Sequence, residues 1–308
     1  MEITLPLLHM QIDLFIVLLG FFVGGVSAFF GIGGGFLVVP ALNLIFGVPQ
    51  AHAVGSSLAQ MVPTSFFGLV PHWRKGNIVW QVPAVFFIGA CAGIELGAWL
   101  VEMLDDPDLV TTVAGRTVRT SQIFLLSGLS VIFVLKGLFF IYESTRIPRR
   151  ENGEPGLRFT RLLRFVKIPP MLRPRRDEFE PLPLLNLAAV GFAGGAAIGF
   201  LGLGGGFVAL PLFIYLVGMD TKKAVGSSLL LVFLSASWGM FRHAVAGREN
   251  VDWAITLAIV IGSLVGSQAG ALLNSVVKPQ NIRKYMGYVD LTTAVLMWAG
   301  FAARLLLK

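Results

Sequence analysis

The chain has one cysteine and four histidines, and only 13% of its 308 residues are charged. A single cysteine, Cys91, excludes an internal disulfide and any multi-cysteine metal centre. Four scattered histidines form no ligand cluster, so neither a metal nor another cofactor is expected. G-x-S-x-G, H-E-x-x-H and spaced aspartate pairs are missing from the apolar segments, which leaves an intramembrane hydrolase without a nucleophile and base and argues against an enzyme. Scarcity of charge excludes more. With 55% apolar residues, a soluble globule of this length could not cover its apolar surface with so few charged groups, so lipid is the expected solvent.

What is present agrees. Residues 12–30, 79–101, 122–142, 251–273 and 286–307 are nearly uncharged runs of about 20 residues, the length of helix that crosses a bilayer core. The N-terminal MEITLPLLHMQIDLF has neither a basic region nor a small-residue cleavage site, so the first run is expected to be a retained span. The formal net charge of +7 is concentrated in one place: between Ser144 and Arg176 there are ten basic residues against Glu151 and Glu154. Such a loop is expected on the cytoplasmic side, against anionic lipid headgroups. No nucleic-acid-binding motif accompanies it, and no nucleic-acid partner is expected.

The sequence repeats itself. GFFVGGVSAFFGIGGGFLVVP, starting at Gly20, matches GFAGGAAIGFLGLGGGFVALP, starting at Gly191, and AVGSSL at Ala53 matches AVGSSL at Ala224, all at an offset of 171. His72 falls on His243; after a two-residue insertion Trp80 falls on Trp253, and Gly89, Gly93 and Gly97 fall on Gly262, Gly266 and Gly270. The expected fold is therefore an all-α, polytopic helical membrane protein of two homologous modules, 1–142 and 184–308, joined by the basic loop 143–183. Each module reads as five helical segments, 12–30, 36–47, 52–72, 79–101 and 120–142 against 184–201, 207–218, 223–245, 251–273 and 284–307. An odd number of crossings per module would invert the second relative to the first. With the basic loop inside, Arg74, Lys75, Lys222, Lys223, Lys278, Arg283 and Lys284 also fall inside, Arg242 and Arg248 fall on the other side, and both termini lie outside. The alternative count is eight crossings with parallel modules and cytoplasmic termini.

Two glycine motifs carry the functional expectation. Gly31-Ile32-Gly33-Gly34-Gly35-Phe36 and Gly202-Leu203-Gly204-Gly205-Gly206-Phe207 break apolar sequence at corresponding places. Paired breaks point to a transporter's binding site, because irregular backbone survives at membrane depth only where protein or a water-filled cavity satisfies it. Close helix packing by small residues is the competing reading. Gly33, Gly34, Gly35, Gly204, Gly205 and Gly206, with Ser56, Ser57, Ser227 and Ser228, would form a cage of neutral donors for a small anion, although the serines could equally be helix caps. Gln60, one turn beyond the first serine pair, is matched by Leu231 and would make the site asymmetric. Glu95 is placed in mid-span to carry a proton or pair with a cation; His72, Arg242 and His243 would attract anions at the entrances or titrate; Lys136 would snorkel from near the end of its span.

On the duplicated G-[IL]-G-G-G-F…P turn followed by A-V-G-S-S-L, the chain resembles the TauE/SafE family, described as sulfite or sulfonate exporters and also known as the toluene-sulfonate uptake permease family. The resemblance runs from about Leu14 to Ala299 and departs from it in the long Arg-rich loop. It implies a multi-pass transporter of the cytoplasmic membrane for sulfite, sulfoacetate or a similar anion. The residues alone also allow a passive anion channel, or a scaffold that recruits a partner through the loop, and a homo-oligomer is compatible with either.

Overall fold

A computed structural model describes residues 4–42, 46–48, 50–104, 110–113, 116–147, 155, 159–160, 169–172, 181–201, 205–244 and 251–307. The first half contains α1 (Thr4–Phe30), the short α2 (Gly35–Pro40), α3 (Gln50–Arg74), α4 (Gln81–Leu104) and α5 (Thr120–Arg146). The second repeats the order with α6 (Leu184–Leu201), α7 (Gly205–Pro211) running into a π-helical turn at Leu212–Val217, α8 (Thr221–Ala244), α9 (Trp253–Val276) and α10 (Pro279–Leu307). Two small antiparallel pairs, β1 (Val110–Val113) with β2 (Arg116–Arg119) and β3 (Met171–Leu172) with β4 (Leu182–Pro183), lie in connections where the sequence gives no strand signal.

The protein is a helical membrane protein. Among the described residues, the helical stretches His52–Arg74, Leu126–Arg146, Thr221–Phe241 and Trp253–Val276 are long and apolar enough to cross a membrane. Ile88, Leu135, Ile261, Val265 and Val295 stand exposed on the outside of the bundle, an arrangement suited to a hydrocarbon solvent.

The halves interleave. The main partner of α1 is α9, and that of α4 is α6; α3 packs on α8, and α5 on α10. Glycines set the first two seams. Gly20 lies on Ile259 and Gly24 on Ser263, while Gly191 lies on Phe86 and Gly195 on Ala90, in each case so close that a Cβ would overlap a backbone carbonyl. Position rises along both helices together, so α1 runs parallel to α9 and α4 parallel to α6. The equivalent helices instead meet head to tail: Leu58 touches Gly239 and Gly68 touches Leu229, so α3 and α8 are antiparallel. Lys136 faces Asp290 and Glu143 faces Arg283, which gives α5 and α10 the same relation.

Candidate substrate site at the glycine turns

The first turn leaves α1 through left-handed backbone, with φ of 75° at Gly31, 86° at Gly33 and 78° at Gly34, a conformation that glycine adopts without the cost a Cβ imposes. The Ser27 carbonyl closes α1 by accepting from the N–H groups of Gly31 (2.7 Å) and Ile32 (3.3 Å), and the Gly34 carbonyl opens α2 by accepting from Leu37 and Val38. Gly35 is the first residue of α2. In the second turn Gly204 lies outside the described residues, and Gly205 and Gly206 begin α7.

The two turns come together. A Cβ on Gly206 would run into the Gly31 carbonyl, and Gly33 packs on Val232 and Met61. The rings that follow the turns, Phe36 and Phe207, lie 5.9 Å apart, and Phe133 of α5 packs on both, at 5.8 and 4.7 Å. The glycine motifs therefore share one buried centre.

The serines do not join them in a single cage. Leu58 of α3 sits level with Gly239, and Leu229 of α8 sits level with Gly68, so the two serine pairs occupy opposite ends of the α3–α8 crossing. A dozen residues of helix, about 18 Å, separate them, more than a small anion can bridge. Their oxygens are also engaged. Ser227 Oγ accepts from Val79 N and Ser56 Oγ from Asp252 N, both at 2.9 Å, two equivalent bonds that each tie one half to the other. Ser228 donates to the carbonyls of Gly31 (2.7 Å) and Val225 (2.9 Å). Ser57 is fully buried and has no hydrogen-bond partner among the described residues.

Gln60 is fully buried, and its Oε1 accepts from Thr64 Oγ1 at 3.0 Å. Glu95 is half-buried on α4 and accepts from the Trp238 indole at 3.3 Å, so it is tied to α8. His72 is buried near the end of α3 beside Gly226, away from bulk water. Arg242 and His243 fall in α8, with side chains outside the described residues.

Two buried ion pairs lie outside the glycine and serine motifs, at positions where the sequence predicts a snorkelling Lys136 and a loop Arg283. Lys136 does not snorkel: α5 extends to Arg146, which places Lys136 inside the bundle, 3.2 Å from Asp290 Oδ1 and 3.0 Å from the centroid of the Phe207 ring. Arg283 is not a loop charge: α10 begins at Pro279, and Arg283, 1% exposed, donates to Glu143 Oε2 (3.0 Å) and Thr221 Oγ1 (2.7 Å). Tyr215 OH donates to the same Glu143 oxygen at 3.1 Å. Compensating partners are what make such burial tolerable. Asp290, a lone carboxylate in an apolar run, was the available sequence signal; Glu143 and Arg283 were hidden by helix boundaries placed too short.

Next to the first glycine turn, an apolar cleft of about 480 Å³ opens between α1, α2 and α10, lined by Val23, Phe36, Leu37 and Met297 among others. Its walls suit hydrocarbon rather than an anion.

Crossed helices around two broken segments, with two ion pairs buried among the helices, describe a membrane transporter, and relatives agree. The sulfite exporter TauE/SafE family model matches residues 16–297, and the chain belongs to that family. It is 26% identical over 289 residues to a "Probable membrane transporter protein" of Xylella fastidiosa, covering 92% of this chain and 94% of that protein. It is 27% identical over 286 residues to the "Probable membrane transporter protein YunE" of Bacillus subtilis, covering 89% and 93%. A third relative, from Methanocaldococcus jannaschii, bears a similar name and is 25% identical over 280 residues, covering 87% and 88%. No solved structure matches.

Proposed function

We propose that the protein is a multi-pass secondary transporter of the cytoplasmic membrane that moves a small anion, a sulfur oxyanion or organosulfonate such as sulfite or sulfoacetate, by alternating access. The reading is carried by the meeting of the two glycine-broken segments at a buried centre, where Gly206 touches Gly31 and Gly33 touches Met61. Broken segments from two related halves are where secondary transporters hold substrate. The antiparallel meeting of α3 with α8 and of α5 with α10 supports an inverted relation between halves 1–142 and 184–308, the symmetry that lets one site face either side in turn. The family description supports the substrate class.

Neutral donors suit this task, since they hold an anion without a buried fixed cation and release it readily. The test is thermal stabilisation of the purified protein by sulfite, sulfoacetate, thiosulfate, sulfate and lactate as concentration rises. Stabilisation by a sulfur anion and not by lactate is expected; no response to any of them from folded protein would falsify the anion reading and return weight to a scaffold acting through the 143–183 loop.

A further inference from the structure

The two halves share a backbone plan and differ in what they bury beside it. Beside the first glycine turn, Gln60 and Thr64 of α3 and Ser263 of α9 form a polar cluster, and Ser27 of α1 lies nearby. Thr64 Oγ1 lies 2.6 Å from Ser263 Oγ and 3.0 Å from Gln60 Oε1. Ser263 sits against Gly24, one turn before Ser27 on α1, and Ser27 in turn lies against Gly34. Met61, next to Gln60, lies against Gly33. Ser27 and Met61 thus bracket the first glycine turn, with the cluster on the helices that carry them.

At the offsets that align the halves, Ser27, Gln60, Thr64 and Ser263 become Ile198, Leu231, Ser235 and Ala90. Three of the four positions are aliphatic, and Ser235, which lies against Gly205, donates to the Val232 carbonyl of its own helix. Among the described residues, the unpartnered hydroxyl of Ser27 and amide of Gln60 thus both belong to the first half, with no unpartnered equivalent in the second.

Ser27 and Gln60 are both 0% exposed, and among the described residues neither Ser27 Oγ nor Gln60 Nε2 has a hydrogen-bond partner. A buried amide N–H without an acceptor is destabilising, and two unpaired donors beside a broken helix make a site suited to an acceptor that comes and goes. An oxyanion supplies such acceptors, and bonds to its charged oxygens are stronger than bonds to a neutral group.

We infer that the substrate anion is bound off-axis, by Gln60 Nε2 and Ser27 Oγ with the Thr64–Ser263 hydroxyl pair beside the first glycine turn, and that the equivalent position in the second half, where Ile198, Leu231 and Ala90 leave Ser235 as its one hydroxyl, does not hold it. This rests on the anion-transport reading and names the half that performs the binding. One consequence is asymmetric occupancy: the conformational exchange uses both halves, while the ligand is held by one.

Four variants test it, each replacing a residue by its twin: Gln60→Leu, Ser27→Ile, Leu231→Gln and Ile198→Ser. In titrations of the anion that stabilises the wild type, Gln60→Leu is expected to weaken apparent affinity about tenfold or more while leaving the ligand-free melting temperature unchanged or raised, because it removes an unpaired buried donor. Leu231→Gln is expected to leave affinity within about twofold, the size of a change that alters no contact with the ligand. Unchanged affinity in Gln60→Leu overturns the inference and leaves anion binding standing, as does equal weakening by Gln60→Leu and Leu231→Gln, which marks a symmetric site. Loss of binding by the wild type overturns both together. A readout free of affinity uses Ser27→Cys and Ile198→Cys on a Cys91→Ser background, exposed to the anionic sulfonatoethyl methanethiosulfonate. Labelling at position 27 that sulfoacetate slows, with none at 198, is expected; the reverse pattern overturns the assignment.

Discussion

Two kinds of seam hold the halves together, and they are made of opposite materials. Along α1–α9 and α4–α6 the contact is backbone on backbone, with Gly20, Gly24, Gly191 and Gly195 pressed against carbonyls of the facing helix. Along α5–α10 it is charge on charge, with Lys136–Asp290 and Arg283–Glu143 both buried. The first kind tolerates no added atom and contains nothing that titrates, so it behaves as a weld and makes α1 and α9 one body. The second depends on two charges staying opposite one another; sliding α5 along α10 would strand them. Each weld joins a helix of one half to a helix of the other, so the bodies that the seams define are the α1–α9 and α4–α6 pairs and not the two halves.

Breaking the welds should have the largest effect. Gly266→Leu, whose side chain would overlap the Phe21 carbonyl, and its twin Gly93→Leu, facing the Phe192 carbonyl, are expected to leave no monodisperse protein in detergent extracts. A symmetric peak at the wild-type volume from either would show that the seams are loose. Next comes the charged seam. Arg283→Met leaves Glu143 buried without its cation and should cost about 3–5 kcal/mol in unfolding free energy, most of it recovered by the double variant Glu143→Gln/Arg283→Met. If the double variant is no better than the single one, Arg283 acts through packing and not through charge. Lys136→Met is expected to follow the same pattern with Asp290→Asn, to a smaller extent because the Lys136 side chain is 10% exposed; comparison of the two melting curves decides the order. The smallest effect belongs to the serine ties. Ser227→Ala and Ser56→Ala each remove the acceptor for one backbone N–H and should each lower stability by about 1 kcal/mol, equally, because they are equivalent contacts. Unequal losses would show that the symmetry of the ties is not a symmetry of energies.

Much of this plan is legible in the sequence. The offset of 171 and the aligned glycines disclose the duplication, and the glycine breaks lead to the centre where Gly206 meets Gly31. Repetition identifies which helices are equivalent, but not which are neighbours, so nothing in the pattern announces that α1 belongs beside α9. The serines illustrate the difference. AVGSSL at Ala53 and Ala224 invites one shared cage, yet the antiparallel crossing of α3 and α8 sends the two copies to opposite ends. Glu143 and Arg283 escaped for another reason: each lies within a turn or two of a helix end, where apolar periodicity fades and a charge reads as solvent-facing. Their burial follows from the partner helix, which local sequence does not encode.

The crossed pairing also sets a timetable for synthesis. Helix α1 ends at Phe30 and its partner α9 begins at Trp253, so at roughly 5–20 residues per second the ribosome keeps α1 waiting in the bilayer for on the order of ten seconds or more before its glycine face finds a mate. Through that interval Gly20 and Gly24 face lipid or a chaperone, and neither half of the chain can complete its own interior. α4 can meet α6, and α3 can meet α8, before Trp253 is made, but α1 gains its main partner only when α9 arrives. A chain truncated before Trp253 has no route to the native bundle, whereas two fragments divided in the basic loop and made together have every partner they need.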